Sequence, residues 1–257
     1  MKLYNNTLCI PFSVFYLLAV AYAYKVPLYN WPLIPGNQGL EIVNNWYTGI
    51  SGCGGSFQNS TKHPELNYAS TKFLGTSTSR MDLYVPLPAD TLSDFGLTLS
   101  FKPATTAQGT LFHYKTDASV SVSDFQITEI RLYFDRPKMY LEVYNNSHLY
   151  QKKTVDSGLE TDSWFDIGVF SDVSKKTVSL IHDEDMTSTS VGDDQFTLAL
   201  PGTLRLGGGF DDVLPPFRGI MTCVHMYKNK LASDEFEESY LQCLKSKWPA
   251  VQNVSGK

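Results

Sequence analysis

Phe125-Gln-Ile-Thr-Glu-Ile-Arg-Leu-Tyr-Phe134 is the stretch that decides the fold, because it alternates apolar and polar side chains over most of its length. Successive side chains of a β-strand point to opposite faces of a sheet. The pattern therefore predicts one long strand with a buried face and a solvated face.

Apolar and polar residues alternate in the same way along most of the chain. Each run is four to ten residues long and is bounded by glycine, proline, asparagine or aspartate, which favour turns. The runs begin at Leu97, Thr110, Met139, Trp164, Thr177, Phe196 and Thr203. Short, evenly spaced antiparallel strands must bury one face, and packing sheet on sheet does so. The sequence predicts an all-β, two-sheet antiparallel sandwich.

One helix is predicted near the C-terminus. Ser233 is a candidate N-cap, and Asp234 and Glu235 suit the positive end of the helix dipole. An apolar residue then recurs at every fourth position from Phe236 to Trp248. This stripe would lie against the sandwich.

The N-terminus has the layout of a secretory signal peptide. Lys2 supplies a positive charge, an apolar stretch runs from Leu8 to Ala21, and Ala23 completes an Ala-x-Ala cleavage site. This stretch is too short to span a bilayer comfortably, and no later stretch approaches about 18 apolar residues. We predict a secreted protein without membrane insertion, with a signal peptide at 1–23 and one domain at 24–257. The alternative is a buried N-terminal helix.

The charge distribution argues against a nucleic-acid partner, and the composition indicates a folded chain. Lysine and arginine number 21 and aspartate and glutamate 26, and no basic cluster marks a nucleic-acid surface. Aromatic residues make up 13% and charged residues 18%, as is typical of a folded β protein rather than a disordered one. We predict no nucleic-acid partner.

Three cysteines remain after the signal peptide, so one is left over if a disulfide forms. Cys223 lies in the last long run and Cys243 in the predicted helix, and we predict that these two pair. Cys53 would then be a free thiol or a link to another chain. Export also agrees with three glycosylation sequons, at Asn59, Asn145 and Asn253, all in segments predicted as loop or tail.

The order of several pieces resembles a known family. These are Leu97-Thr-Leu-Ser-Phe-Lys-Pro103, Gly109-Thr-Leu-Phe-His-Tyr114, Trp164-Phe-Asp-Ile-Gly-Val-Phe170, Leu204-Arg-Leu-Gly-Gly208 and the closing stretch 217–236. Together they resemble the laminin G-like, or concanavalin A-like, jelly-roll domain. The resemblance implies two curved sheets and binding of glycans, matrix proteins or steroids at rim loops or on the concave face.

The resemblance also implies a calcium ion with Asp124 as its first carboxylate ligand. The second side-chain ligand should precede Leu204, where Leu198-Ala-Leu-Pro201 offers no carboxylate. Calcium needs six or more oxygen ligands. We therefore predict no cofactor, with calcium at Asp124 as the alternative.

Gly207-Gly-Gly-Phe-Asp-Asp212 is the candidate ligand-binding loop. Phe210 would face a sugar ring, and Asp211 and Asp212 would meet hydroxyl groups or calcium. The alternative is that the glycines only supply a positive φ where the chain leaves the sheet. We expect this loop and the loop 117–124 to meet at one rim of the sandwich. A second candidate is an aromatic platform of Trp46, Tyr47 and Phe57, whose alternative role is core packing.

Catalytic motifs are absent from the sequence. His182-Asp-Glu-Asp185 is the only acidic cluster that resembles a glycan-cleaving site, and a solvated end of a strand followed by a turn at 186–188 explains it more simply. The five histidines are dispersed, without metal spacing. We predict a non-catalytic module that binds an extracellular glycan or matrix protein. The alternatives are a structural matrix component without a discrete ligand and, more remotely, a glycan-cleaving enzyme.

Overall fold

The computed structural model describes residues 27–33, 40–41, 46–47, 57–62, 69–87, 94–146, 148–182, 185–190, 197–237, 239 and 243. These residues form strands and one short helix, α1, at Ser233–Glu237. In chain order the strands are β1 (Tyr29–Trp31), β2 (Leu40–Glu41), β3 (Trp46–Tyr47), β4 (Phe57–Lys62), β5 (Ala69–Leu74), β6 (Met81–Val85), β7 (Phe95–Pro103), β8 (Gln108–Thr116), β9 (Gln126–Ile127), β10 (Glu129–Asp135), β11 (Lys138–Asn145), β12 (His148–Asp156), β13 (Phe165–Asp172), β14 (Thr177–His182), β15 (Asp185–Ser190), β16 (Thr197–Leu198), β17 (Gly202–Leu206) and β18 (Arg218–Tyr227).

Two antiparallel sheets form a β-sandwich. The larger sheet has eight strands in the order β15-β14-β13-β7-β18-β5-β4, and β1 pairs with β18 beyond the part that pairs with β5. The smaller sheet has six strands in the order β12-β11-β10-β8-β17-β6. Two short pairs complete the described strands, β2 with β3 and the parallel pair β9 with β16. The predicted all-β, two-sheet architecture is confirmed.

The core lies between the two sheets, where alternation along each strand places the apolar side chains. Phe217 is fully buried at its centre. Its ring meets the rings of Phe73, Phe101 and Phe134 edge-on, with centroids 6.0, 6.2 and 6.3 Å apart. Edge-to-face contacts of this kind add to the stabilisation from burying the rings.

A second apolar cluster covers the opposite face of the larger sheet. It joins Phe170 of β13 and Tyr227 of β18 to Leu231 and to Phe236 of α1. The helix begins differently from the prediction: Glu235 accepts a hydrogen bond from the backbone N–H of Ala232 (2.7 Å), and Phe236 N–H bonds to Ala232 O. Ala232 rather than Ser233 is therefore the N-cap, and Glu235 makes half of a capping box. The predicted stripe beyond 237 lies outside the described residues.

Three segments differ from the sequence prediction. The run 125–134 is split at Thr128 into β9 and β10, because β9 pairs in parallel with β16 while β10 joins the six-stranded sheet. The turn predicted at 186–188 lies within β15, whose Asp185 pairs with His182. The edge strand β12 was not predicted, since its largely exposed residues show no apolar alternation.

Cys223 and Cys243 form the predicted disulfide, with their Cα atoms 5.9 Å apart. The bond ties β18 to the chain beyond α1. Among the described residues, no helix is long and apolar enough to cross a membrane. The predicted signal peptide at 1–23, Cys53 and Asn253 lie outside the described residues.

Candidate functional site

The outer face of the six-stranded sheet carries a line of polar side chains, five charged residues and one histidine, that crosses every strand. Strand register aligns one residue from each strand, and most of them are flanked along the chain by core residues, so they point away from the core. We call this line the charged row; its members are Lys152 (β12), Glu142 (β11), Arg131 (β10), His113 (β8), Arg205 (β17) and Asp82 (β6).

Each cation of the charged row meets a carboxylate. Arg205 binds Asp82 in a bidentate pair, Nε to Oδ1 at 2.6 Å and Nη2 to Oδ2 at 2.7 Å. Lys152 Nζ lies 2.8 Å from Glu142 Oε1. Charge-assisted hydrogen bonds of this kind hold side chains in one geometry. The row is therefore preorganised rather than a set of mobile surface charges.

Tyrosines border the charged row on β10 and β11. Tyr133 and Tyr140 are direct cross-strand partners, and their half-buried rings stack with centroids 4.9 Å apart and planes 14° apart. The Lys152 ammonium lies 4.7 Å from the Tyr140 ring centroid. On the other side of the row, the Arg131 guanidinium lies 4.7 Å from the Tyr144 ring. Flat aromatic surface thus lies beside fixed hydrogen-bonding groups.

Glu142 is a buried carboxylate with three donors. Tyr133 Oη and Lys152 Nζ donate to Oε1, and Tyr144 Oη donates to Oε2, at 2.7–2.8 Å. Burial by itself raises the pKa of Glu142, but the hydrogen bonds from Lys152, Tyr144 and Tyr133 lower it by more. Glu142 is therefore ionised at neutral pH.

Glu129 is a second buried carboxylate on this face, on the strand next to Glu142 and diagonal to it. Burial raises the pKa of Glu129, but hydrogen bonds from His113 and Arg131 outweigh it and leave the pKa below its ordinary value. A glycan-cleaving pair needs one carboxyl group with a raised pKa as proton donor. Both carboxylates here are held ionised, so the pair suits binding rather than acid catalysis. Sequence reasoning missed this pair because its members lie on different strands.

The predicted ligand-binding loop folds over the charged row. The Phe210 ring lies 4.1 Å from the Arg205 guanidinium and 4.8 Å from the His113 ring. Phe210 N–H donates to His113 Nδ1 (3.0 Å), and Asp211 Oδ2 accepts from Arg131 Nη2 (3.0 Å). Phe210 and Asp211 therefore support the row, whereas Asp212 is exposed.

The alternative role of the glycines, which is to supply a positive φ where the chain leaves the sheet, also holds for Gly207. Gly207 has φ +78°, and a Cβ there would lie 2.3 Å from the Phe73 ring. Only glycine fits this exit from β17.

The two predicted rim loops leave the sheet at different places. Loop 117–124 follows Thr116, which pairs with Gly202, whereas the Gly207 loop follows Leu206, which pairs with Phe112. Because β8 and β17 are antiparallel, the two loops leave the six-stranded sheet at opposite ends, so the expected meeting at one rim is wrong. The Gly207 loop instead folds back onto the sheet face. Glu129 connects the two regions, since it bonds to the charged row and also lines a cavity beneath loop 117–122.

Asp124 is exposed at the turn before β9, and its carbonyl accepts a hydrogen bond from Asn145 Nδ2 (2.7 Å). Within the described ranges, no group of three or more histidine, cysteine, aspartate or glutamate side chains is placed to hold a metal ion. At the position of the second expected ligand, Ala199 is buried and its carbonyl accepts from Thr116 Oγ1 (3.0 Å). These residues do not fit the calcium site that the resemblance implies.

Two sequons fall within described strands. Asn145 ends β11 at a hairpin, as predicted, and its Nδ2 donates to Asp124 O and to Gln126 O. Asn59 lies in the edge strand β4 instead of a loop. Glycosylation at Asn59, Asn145 and Asn253 stays a prediction. The aromatic platform considered for Trp46, Tyr47 and Phe57 falls on β3 and β4, where side chains are not described.

No family model and no curated protein sequence matches the chain. Among solved structures, domain 4 of AbnA, a GH43 extracellular arabinanase from Geobacillus stearothermophilus in complex with arabinotriose, is similar, with a TM-score of 0.57 and 14% identity over 84% of this chain and 98% of that domain. The botulinum neurotoxin serotype D binding domain has a TM-score of 0.56 and 8% identity over 85% of this chain and 51% of that one. The CBM40 domain of the Ruminococcus gnavus IT-sialidase bound to α2,3-sialyllactose has a TM-score of 0.45, 16% identity, and coverage of 57% and 81%. These solved structures are concanavalin A-like, jelly-roll β-sandwich domains, and at these identities the likeness shows that this chain shares their β-sandwich fold and no more.

Proposed function

We propose that this chain is a secreted, non-catalytic module of one domain (24–257) that binds an extracellular glycan on the outer face of its six-stranded sheet. One observation carries the proposal: a preorganised row of paired charges crosses the whole face beside the stacked Tyr133–Tyr140 pair. Sugars present hydroxyl groups to fixed polar partners and C–H faces to aromatic rings, so this combination suits a glycan.

Three further observations support the proposal. The ionised carboxylates Glu129 and Glu142 suit hydroxyl binding better than proton transfer. The structurally similar AbnA domain was solved in complex with arabinotriose. The signal peptide expected at 1–23, the disulfide and the resemblance to laminin G-like domains all favour an extracellular role.

A glycan array with the purified secreted protein tests the proposal, followed by titration of any ligand found. We expect Tyr140→Ala to weaken binding at least tenfold, about 1.4 kcal/mol, because it removes one ring of the stacked pair. The matched control is Tyr140→Phe, which keeps the ring and should bind like wild type. Both variants should keep the wild-type thermal melt to within a few degrees.

Two results would contradict the proposal. Binding to no glycan on the array would favour the structural matrix component without a discrete ligand. Polysaccharide cleavage abolished by Glu142→Gln or by Asp183→Asn would show that the protein is an enzyme.

A further inference from the structure

Glu129 is a buried carboxylate that uses one of its two oxygens for hydrogen bonds within the protein. Its side chain is 7% exposed, and Oε1 accepts from both His113 Nε2 (2.7 Å) and Arg131 Nε (2.5 Å). Within the described part of the chain, both hydrogen bonds to the Glu129 carboxylate end on Oε1 and no group donates to Oε2. Because the Glu129 side chain is 7% exposed and lines a cavity, its second oxygen is the candidate acceptor for a hydrogen bond from a ligand.

A cavity of about 260 Å³ lies beside Glu129, and we call it the Glu129 cavity. Loop residues Asp117, Val120 and Val122 form one wall, and Thr128 and Asn146 form another. Hydrogen bonds hold both walls: Val120 N–H bonds to Asp117 O (3.0 Å), and Asn146 N–H bonds to Thr128 Oγ1 (3.0 Å). Pockets for drug-sized ligands measure roughly 300–1,000 Å³. The Glu129 cavity suits a single sugar ring at the end of a longer ligand.

The charges around the Glu129 cavity disfavour an anion. Its lining contains two carboxylates, Asp117 and Glu129, and one exposed lysine, Lys115. The half-buried Arg131, which bonds to Glu129, is shared between Glu129 and Asp211. The lining thus carries two carboxylates against one lysine, so a ligand carboxylate or sulfate would meet net negative charge.

We propose that the Glu129 cavity is the specificity subsite of the binding face, where Glu129 Oε2 accepts a hydrogen bond from a hydroxyl group of a neutral sugar residue. Sugars that carry a carboxylate or sulfate are excluded from it. This inference rests on the proposed function and names the ligand class of that face.

The test is titration calorimetry of the full secreted protein with a neutral probe, arabinotriose, and an acidic probe, 3′-sialyllactose, alongside the neutral and acidic oligosaccharides of the array. We expect binding to neutral oligosaccharides and none to acidic ones. Preference for an acidic ligand would overturn this inference and leave the proposed function intact. Binding to no oligosaccharide at all would contradict the proposed function itself.

Glu129→Gln is the decisive variant. A glutamine keeps one oxygen for His113 and Arg131 but places an amide NH₂ where Oε2 stood, so the acceptor becomes a donor. We expect at least tenfold weaker binding of the neutral ligand, and no such loss for an analogue that lacks the bonded hydroxyl group. The matched control is Asp135→Asn, which removes an exposed carboxylate from the other end of β10 and should leave binding unchanged.

A second variant keeps the proposal testable if Glu129→Gln alters the fold. Val120→Phe fills the cavity from the loop side and leaves the Glu129 carboxylate in place. We expect it to weaken binding of the neutral ligand as strongly as Glu129→Gln does, with an unchanged thermal melt. Wild-type affinity in either folded variant would overturn the inference.

Discussion

Single residues on the sheet face acquire their chemistry from partners that are distant in the sequence. His113 accepts a hydrogen bond from Phe210 N–H at Nδ1, so its proton lies on Nε2, which donates to Glu129. Burial lowers the pKa of His113, although the hydrogen bond to Glu129 acts in the opposite direction. The neutral imidazole thus links the covering loop to the buried carboxylate.

His225 gives a stability prediction at the same scale. It is fully buried, with Nδ1 3.3 Å from Thr98 Oγ1, and burial lowers its pKa to about 3. Below pH 6.5, the ordinary value for histidine, the unfolded chain binds a proton at this residue and the folded chain does not. Stability is therefore lost as the pH falls, by about 1.4 kcal/mol per pH unit from this residue, until the pH approaches 3.

Denaturant unfolding at pH 7 and pH 5 checks this prediction. We expect the free energy of unfolding to be about 2 kcal/mol lower at pH 5, and His113 contributes in the same direction. His225→Gln should reduce this pH dependence, whatever its own cost in stability. Equal stability of the wild-type protein at both pH values would contradict the assignment.

At the scale of elements, α1 depends on one aromatic anchor. Phe236 is 2% exposed, and its ring meets the ring of Phe170 on β13 edge-on, with centroids 6.0 Å apart. Gly168 makes room for this contact, because a Cβ there would lie 2.4 Å from the Phe170 ring. A helix this short has little stability of its own, so packing must hold it in place.

Phe236→Ala should therefore cost about 3–5 kcal/mol in the free energy of unfolding, because it empties a buried aromatic site. Urea unfolding measures the loss, and Leu74→Ala, at a residue that is 42% exposed, is the control. If both variants unfold at the wild-type urea concentration, the helix does not stabilise the sandwich.

Pairing between elements also explains β12, the strand that the sequence did not predict. Among the described strands, β11 alone pairs with β12, and β12 is largely exposed, so pairing rather than burial selects its conformation. Its charged side chains are typical of edge strands that resist association with other chains. Apolar alternation reveals strands that have a buried face, so it does not reveal an edge strand that buries few side chains.

At the scale of the whole molecule, the disulfide joins the segment beyond α1 to the larger sheet. Cys223 and Cys243 are 20 residues apart, and a closed loop of this length stabilises a fold by about 3 kcal/mol in the chain-entropy model. Replacing both cysteines by serine should lower the free energy of unfolding by about that amount. Peptide mapping of the unreduced protein should join Cys223 to Cys243; a peptide joining Cys53 to either one would contradict the pairing.

Much of the fold could be predicted from the sequence, and less of the site. Alternation in β7, β8, β11 and β13 predicted two sheets, since packing sheet on sheet buries the apolar face of each strand. Phe210 and Asp211 were singled out from their glycine-rich context, and both contact the charged row. Glu129, Glu142 and Tyr140 were not, because each is an ordinary polar residue of an alternating strand.

The sequence by itself determined the all-β class and indicated a C-terminal helix and the Cys223–Cys243 pair, since these depend on local periodicity and on neighbours along the chain. Only the tertiary structure decided the charged row. Arg205 and Asp82 are separated by 123 positions and Arg131 and Asp211 by 80, and strand register with the return of the Gly207 loop brings them together. Register depends on the packing of the whole core, because a slip of one residue would turn every one of these side chains to the opposite face.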